Sequence, residues 1–201
     1  DFSKTFHRRV LKDPSVQFSS LEGRKIFCTA LDEGNMDSYF SLAETYQTQG
    51  APAFCGLGSL SMVLNALLID PNRVWQGVWR WFEDGMLDCC EDIEVVKEKG
   101  IIMSKLACLA RCQGAICETF FAEPDFDEEH FRKLVIKACT VAEPGQQKQF
   151  MIVSYSRKIL NQTGSGHFSP IGGYCAATDQ VLIMDVARFK HPPHWVPLPL
   201  L

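Results

Sequence analysis

Cys55 is the residue in this chain whose surroundings speak most directly of chemistry. It opens an apolar run in which Leu57, Leu60, Leu64 and Leu67 recur at helical spacing. Met62, Val63, Ala66 and Leu68 make the other faces apolar too, so the run predicts a buried helix. Pro52 keeps a helix from entering upstream, and Asp70-Pro71 ends it downstream. The sulfur therefore falls at or near a helix N-terminus, where unpaired N–H groups and the helix dipole stabilise a thiolate. Gln49, six residues earlier and followed by Gly50, brings a side-chain amide donor toward that sulfur, which is half of an oxyanion hole. The competing reading of Cys55 is a free thiol packed as a small hydrophobe.

A nucleophilic thiolate needs a base, and the base needs an orienting partner. Of the five histidines, His7 lies in an N-terminal arm, His130 on an amphipathic helix, and His191 and His194 in a proline-rich tail. His167 follows Gly164-Ser165-Gly166, which lets the backbone approach closely, and starts a strand. Asp185 ends the apolar strand Val181-Leu182-Ile183-Met184, the hairpin partner of the His167 strand. A carboxylate there can hold the imidazole by one nitrogen, although the register is not fixed by sequence. Each residue taken singly reads as structural. Together, helix-borne Cys, strand-borne His and strand-borne Asp follow the order of papain-like thiol enzymes.

The elements that must position these groups change character along the chain. Residues 1–18 read as an extended arm. Residues 19–145 read as mainly helical, with helices over Ser20–Leu31, Met36–Tyr46, the Cys55 run, 93–99, 104–112 and 127–139, the last opened by Pro124-Asp125. Ile116–Phe121 has strand character, Trp75, Trp79, Trp81 and Phe82 form an aromatic cluster, and 143–149 is a polar loop. From Phe150 the period changes to that of strands: 150–155, 167–175 and 181–186, the last two joined by Ala177-Thr178-Asp179. This is an α+β layout in one domain, a helical part packed on a C-terminal antiparallel sheet over 146–201.

Composition sets limits. The chain has 201 residues, 46% hydrophobic and 22% charged, with a net charge of −4. These values fit a packed globular domain and point to neither nucleic acid nor an anionic membrane. No apolar run reaches transmembrane length, and no signal segment opens the chain. Nine cysteines, an odd number without framework spacing, predict free thiols in a reducing, cytoplasmic compartment.

The motifs TQGAPAFCGLGSLSMVLNAL, RWFEDGMLDCCE, VVKEKGI, QTGSGHFSPIGGY and LIMDVARFKHPPHWVPL, in this order, resemble the catalytic domain of phytochelatin synthase. The likeness runs from about Ser19 to the last residue. It implies a papain-like fold and a glutathione γ-glutamylcysteinyltransferase that acts in heavy-metal detoxification. It assigns Cys55, His167 and Asp185 to the catalytic triad and Gln49 to the oxyanion donor. Arg157, Arg188 and Lys190 then meet substrate carboxylates, and Gly166 and Phe168 flank the substrate. Two departures bear on substrate preference rather than on chemistry: Ala51 and Phe54 replace the acidic and hydroxyl-bearing residues usual before the cysteine.

The partners implied are glutathione and its metal thiolate; a homodimer is left open. No organic cofactor is expected. Cadmium or zinc enters either as the bis-glutathione thiolate or on the enzyme's own thiols. Cys89, Cys90, Cys108 and Cys112 are the metal candidates, since soft thiolates suit such ions and Cys108 and Cys112 share a helix face. Against this, no C-x-x-C pair is present, and vicinal cysteines are poor joint ligands for one tetrahedral ion. Two rival functions remain: a glutathione hydrolase with little transfer, and a non-catalytic thiol-rich metal buffer.

Overall fold

A computed structural model describes residues 8–122 and 126–201. His7 and the expected helix-opening pair Pro124-Asp125 lie outside the described residues. Among the described residues there are six α-helices: α1 (Leu21–Asp32), α2 (Asp37–Glu44), α3 (Cys55–Ala66), α4 (Ile93–Lys99), α5 (Met103–Cys112) and α6 (Glu128–Cys139). Strands β2 (Ile152–Ser156), β3 (Gly166–Cys175), β4 (Gln180–Ile183) and β5 (His194–Pro197) follow, and a short β1 (Val16–Gln17) comes from the arm. All pair antiparallel in the order β1-β5-β4-β3-β2. The fold is α+β, consistent with the papain-like expectation.

Local chemistry sets the helix starts. Ser20 caps α1 by accepting from the Gly23 N–H at 3.0 Å, and Asp127 caps α6 by accepting from Glu129 N–H at 2.9 Å. Helix α3 has no side-chain cap. It is held by packing instead, since Gly56 through Asn65 are all buried. Leu57, Leu60 and Leu64 enter one core with Leu106 and Leu109 of α5; Met62 and Val63 enter another with Leu182, Met184 and Trp195. The sheet is buried on both faces: Leu182 and Trp195 meet α1–α3, while Val181, Ile183 and Val196 meet Val135 and Cys139 of α6.

Two segments differ from the sequence expectation. Residues 116–121 form no strand; Ile116, Phe120 and Phe121 are exposed, and among the described residues the stretch joins no ladder. Conversely, the proline-rich tail contributes β5, which pairs with both β4 and β1. Its prolines fall before the strand and at its last residue, so the intervening ladder N–H groups stay intact.

Candidate active site

Cys55 is the first residue of α3. Two glycines beside it keep the helix start tight. A Cβ on Gly56 would stand 2.5 Å from Ile101 Cγ2, and one on Gly58 would stand 3.2 Å from Gln49 Cβ. The segment before α5 and the Gln49 loop can therefore press directly on the cysteine's helix.

His167 is the second residue of β3 and pairs in register with Tyr155 of β2. The Tyr155 ring stands edge-on to the imidazole, 5.7 Å between centroids. Asp185 lies two residues beyond β4 and is fully buried. Its Oδ1 accepts from His167 Nε2 at 2.8 Å and from the Ala187 N–H at 2.9 Å. An ionised carboxylate only accepts, so Nε2 carries the proton, and Nδ1 is the nitrogen left for the thiol.

The electrostatics agree with that tautomer. Burial pushes the Cys55 thiol up, but the His167 ring, followed by the N–H groups of Phe168 and Gly56, outweighs it and holds the thiol below its ordinary value. Burial pushes the His167 ring down, but its bonds to Asp185 and Cys55 outweigh that and hold it above its ordinary value. The two shifts have opposite sign, as a thiolate–imidazolium pair requires.

Asp185 is held well below the usual carboxylate range although burial opposes ionisation; the bond and charge of His167 and the charge of Arg157 reverse that effect. Arg157 supplies the second strong bond. It sits in the turn after β2, is 2% exposed, and its Nη2 donates to Asp185 Oδ2 at 2.8 Å. The 2.8 Å approach of the same Nη2 to His167 Nε2 sets two donors side by side on one carboxylate. Behind it the polar chain continues. Arg157 Nη1 donates to Gln162 Oε1, and Gln162 Nε2 donates to His194 Nε2 at 3.0 Å. His194 Nδ1 then donates to the Pro192 carbonyl at 2.8 Å. Every donor direction in this chain is forced, which makes His194 neutral, and its pKa is lowered, chiefly by burial.

Beside the imidazole lies a cleft of about 310 Å³ lined by Arg8, Arg9, Pro52, Arg157, His167, Ala187, Phe189 and Lys190. Lys190 Nζ donates to the Thr163 carbonyl at 2.6 Å. Arg188, the third cation of the expected substrate set, is not on that wall; its guanidinium stacks on Tyr46, 4.7 Å from the ring centroid. Gly166 is exposed at the start of β3, whereas Phe168 is buried, and its carbonyl accepts from Ser59 Oγ at 3.2 Å. Gln49 is buried beside Cys55's helix, with Nε2 donating to the carbonyls of Ala51 and Pro52 at 2.8 and 2.9 Å. Both amide hydrogens are thus engaged, while Oε1 is buried without a partner. Oxyanion donation by Gln49 requires that amide to swing off the two carbonyls.

The sequence reading missed Gln162, His194, Arg8 and Arg9. The arm arginines carry no motif, and the Gln162–His194 contact joins residues 32 apart across the fold. One expectation is corrected. Four of the nine cysteines are not free: Cys89 pairs with Cys112 and Cys90 with Cys108, and a disulfide sulfur is no thiolate ligand. Cys28, Cys55, Cys117, Cys139 and Cys175 remain free.

A thiol at a helix head, an imidazole on the adjoining strand and a buried carboxylate behind it form a Cys–His–Asp constellation of the papain-like kind, in the order nucleophile, base and orienting group would take. Residues 6–201 match the sequence profile of the phytochelatin synthase family, and the chain belongs to that family. It is 53% identical over 197 residues to glutathione gamma-glutamylcysteinyltransferase 2 of Arabidopsis thaliana, covering 98% of this chain and 42% of the relative. To glutathione gamma-glutamylcysteinyltransferase 1 of the same plant it is 55% identical over 196 residues, covering 98% and 39%. To the enzyme of that name from Schizosaccharomyces pombe it is 45% identical over 199 residues, covering 98% and 46%. The chain therefore spans about two fifths of the length of these relatives.

Proposed function

We propose that this chain carries the acyl-transfer centre of a glutathione γ-glutamylcysteinyltransferase, making phytochelatins from glutathione for heavy-metal detoxification. The observation that carries the reading is Asp185 bound to His167, with the ring turned to Cys55, beside a cleft walled by cations. The relatives' names supply the substrate.

Cys55 thiolate attacks the carbonyl of glutathione's Cys–Gly peptide bond. The developing oxyanion sits at the N-terminus of α3, where backbone N–H groups have no intrahelical partner. Gln49 adds a donor once its amide leaves Ala51 and Pro52, a contribution of about 3 kcal/mol. His167, protonated at both nitrogens, gives the Nδ1 proton to the departing glycine amine. A γGlu-Cys thioester remains on Cys55. His167 then takes a proton from the α-amino group of a second glutathione, which attacks the thioester and lengthens the chain. If water attacks first, the products are γGlu-Cys and glycine. Lys190, Arg8 and Arg9 are the cations placed to meet the substrate carboxylates. Metal enters this chemistry as cadmium or zinc bis-glutathione thiolate, part of the substrate. The reducing cytoplasm is the compartment that keeps such a substrate available.

The test is glutathione turnover with products resolved by mass. Oligomers of γGlu-Cys ending in glycine, with a γGlu-Cys adduct on the intact chain, are expected from the native sequence and absent in Cys55→Ser. The same adduct on Cys55→Ser would refute the assignment.

A further inference from the structure

The cations beside His167 come from three distant parts of the chain: Arg8 and Arg9 of the arm, Arg157 after β2, and Lys190 between β4 and β5. No acid is among the described residues that line this cleft. Arg157 is committed to Asp185 and Gln162, so the arm and Lys190 are what a ligand meets. Lys190 gives one of its three ammonium hydrogens to the Thr163 carbonyl. Burial holds that ammonium below its ordinary value, and the charges of Arg157 and Arg9 press the same way. An anion placed there relieves the crowding.

The arm is laid down by its main chain. The Arg9 N–H donates to the Lys190 carbonyl at 2.9 Å, the Asp13 carbonyl accepts from Asn161 Nδ2 at 2.7 Å, and Val16 and Gln17 pair with Trp195 and His194. In an extended chain, neighbouring side chains face opposite ways. Arg8 has a φ of 56°, in the left-handed region, which breaks that alternation, and both arginines line the cleft.

His167 is in the wall of the cleft and Cys55 is not, so the cleft lies on the imidazole's side of the centre. On that side His167 protonates the departing amine and later deprotonates the entering one. The two amines share a chemical handle. The departing glycine carries its carboxylate on the carbon that bears the nitrogen, and so does the γ-glutamyl end of the entering glutathione.

We propose that Arg8, Arg9 and Lys190 form one acceptor subsite for α-amino carboxylates, which releases glycine and admits the second glutathione by the same carboxylate grip. The inference rests on the glutathione reading above and deepens it: the arm sets which amine is accepted, and with it transfer over hydrolysis. An amine held by its carboxylate is aimed at the thioester, whereas water has no such handle. Free glycine is then itself an acceptor. Its neutral amine attacks the Cys55 thioester, the C–N bond forms as the C–S bond breaks, and the amine proton passes to His167. Glutathione is restored and Cys55 leaves as thiolate.

The full chain is incubated with glutathione, Cd²⁺ and isotope-labelled glycine or glycinamide at equal concentration, and label entering the peptide is read by mass. Glycinamide lacks the carboxylate charge, and its amine is the more easily deprotonated, so without the grip it is the better acceptor. Glycine is expected to enter at least about 10-fold faster than glycinamide. Arg8→Gln with Arg9→Gln should lower that ratio by at least about 10-fold, and Arg8→Lys with Arg9→Lys should retain most of it. The ratio is taken within one protein, so a loss of folded enzyme cancels from it, and the native comparison needs no substitution. Equal entry of the two amines in the native chain, or an unchanged ratio in the double glutamine variant, overturns the proposal while the thioester on Cys55 stands. A native chain that forms no thioester and takes up neither amine overturns the glutathione reading, and this inference with it.

Discussion

Arg157 offers the sharpest division between two roles. As a substrate contact it would face the cleft with its guanidinium available. It does line the cleft, but it is 2% exposed, and its two terminal nitrogens are spent on Asp185 and Gln162. Arg157→Gln removes the cation from a fully buried carboxylate and leaves it with only His167 and one backbone N–H. Losing one partner of a buried ion pair costs about 3–5 kcal/mol. In a domain of this length that lowers Tm by on the order of 10 °C. His167 loses the neighbour that holds its partner still, and a displacement of about 1 Å at a reacting group costs about 100-fold in rate. Arg157→Lys keeps a charge but has no fork to serve both partners, so it should fall in between. Urea unfolding gives the first quantity, and glycine release from glutathione gives kcat and KM. An Arg157→Gln variant with unfolding free energy within about 1 kcal/mol of native and a raised KM alone would show that this arginine meets substrate, and the positioning argument would fail.

Three further outcomes follow from the same geometry. Iodoacetamide should label Cys55 with a midpoint below the ordinary thiol value of 9.0, and His167→Ala should move that midpoint up, because burial is then opposed only by the N–H groups of Phe168 and Gly56; an unmoved midpoint contradicts the Cys55–His167 pair. Asp185 has its carboxyl depressed below 3.8 in the folded chain, so the folded state binds fewer protons. Its stabilisation is complete above that value and drains away as pH falls through the folded-state value, which Asp185→Asn should abolish in acid unfolding curves. Gly56→Ala should destabilise by about 1–3 kcal/mol through the Ile101 contact and slow Cys55 alkylation, whereas a fully active, equally stable variant would mean the helix start tolerates a Cβ.

The buried helix α3 was legible because apolar residues occupy every face of it, and the β3–β4 hairpin because its turn residues separate two apolar runs. The stop at Pro52 and the glycine approach to His167 likewise rest on local sequence. What escaped is what only pairing decides. β5 reads as tail because its prolines mask four residues that become a strand only when β4 and β1 lie alongside. Residues 116–121 have strand-like composition but join no ladder among the described residues. The cysteine pairing hides for the same reason: 89 with 112 and 90 with 108 requires α5 to lie across the turn after Phe82. Arg157 reads as a contact for substrate carboxylates until Asp185 is seen behind it.

That last displacement changes how charge is distributed across the site. Asp185 is neutralised by Arg157, and the thiolate of Cys55 by His167, so the buried centre is near electrical balance. Lys190 and the arm arginines then set the sign of the cleft, which is positive. Such a wall attracts ligands of net negative charge. The arm is anchored there by Arg9, whose N–H donates to the Lys190 carbonyl at 2.9 Å, and by β1, which lies against β5. β5 also carries His194, the far end of the chain of donors that reaches Asp185 through Gln162 and Arg157. The arm that brings the arginines to the cleft and the network that orients the base thus both lean on β5. A change in how β5 sits should therefore alter carboxylate binding and imidazole orientation together.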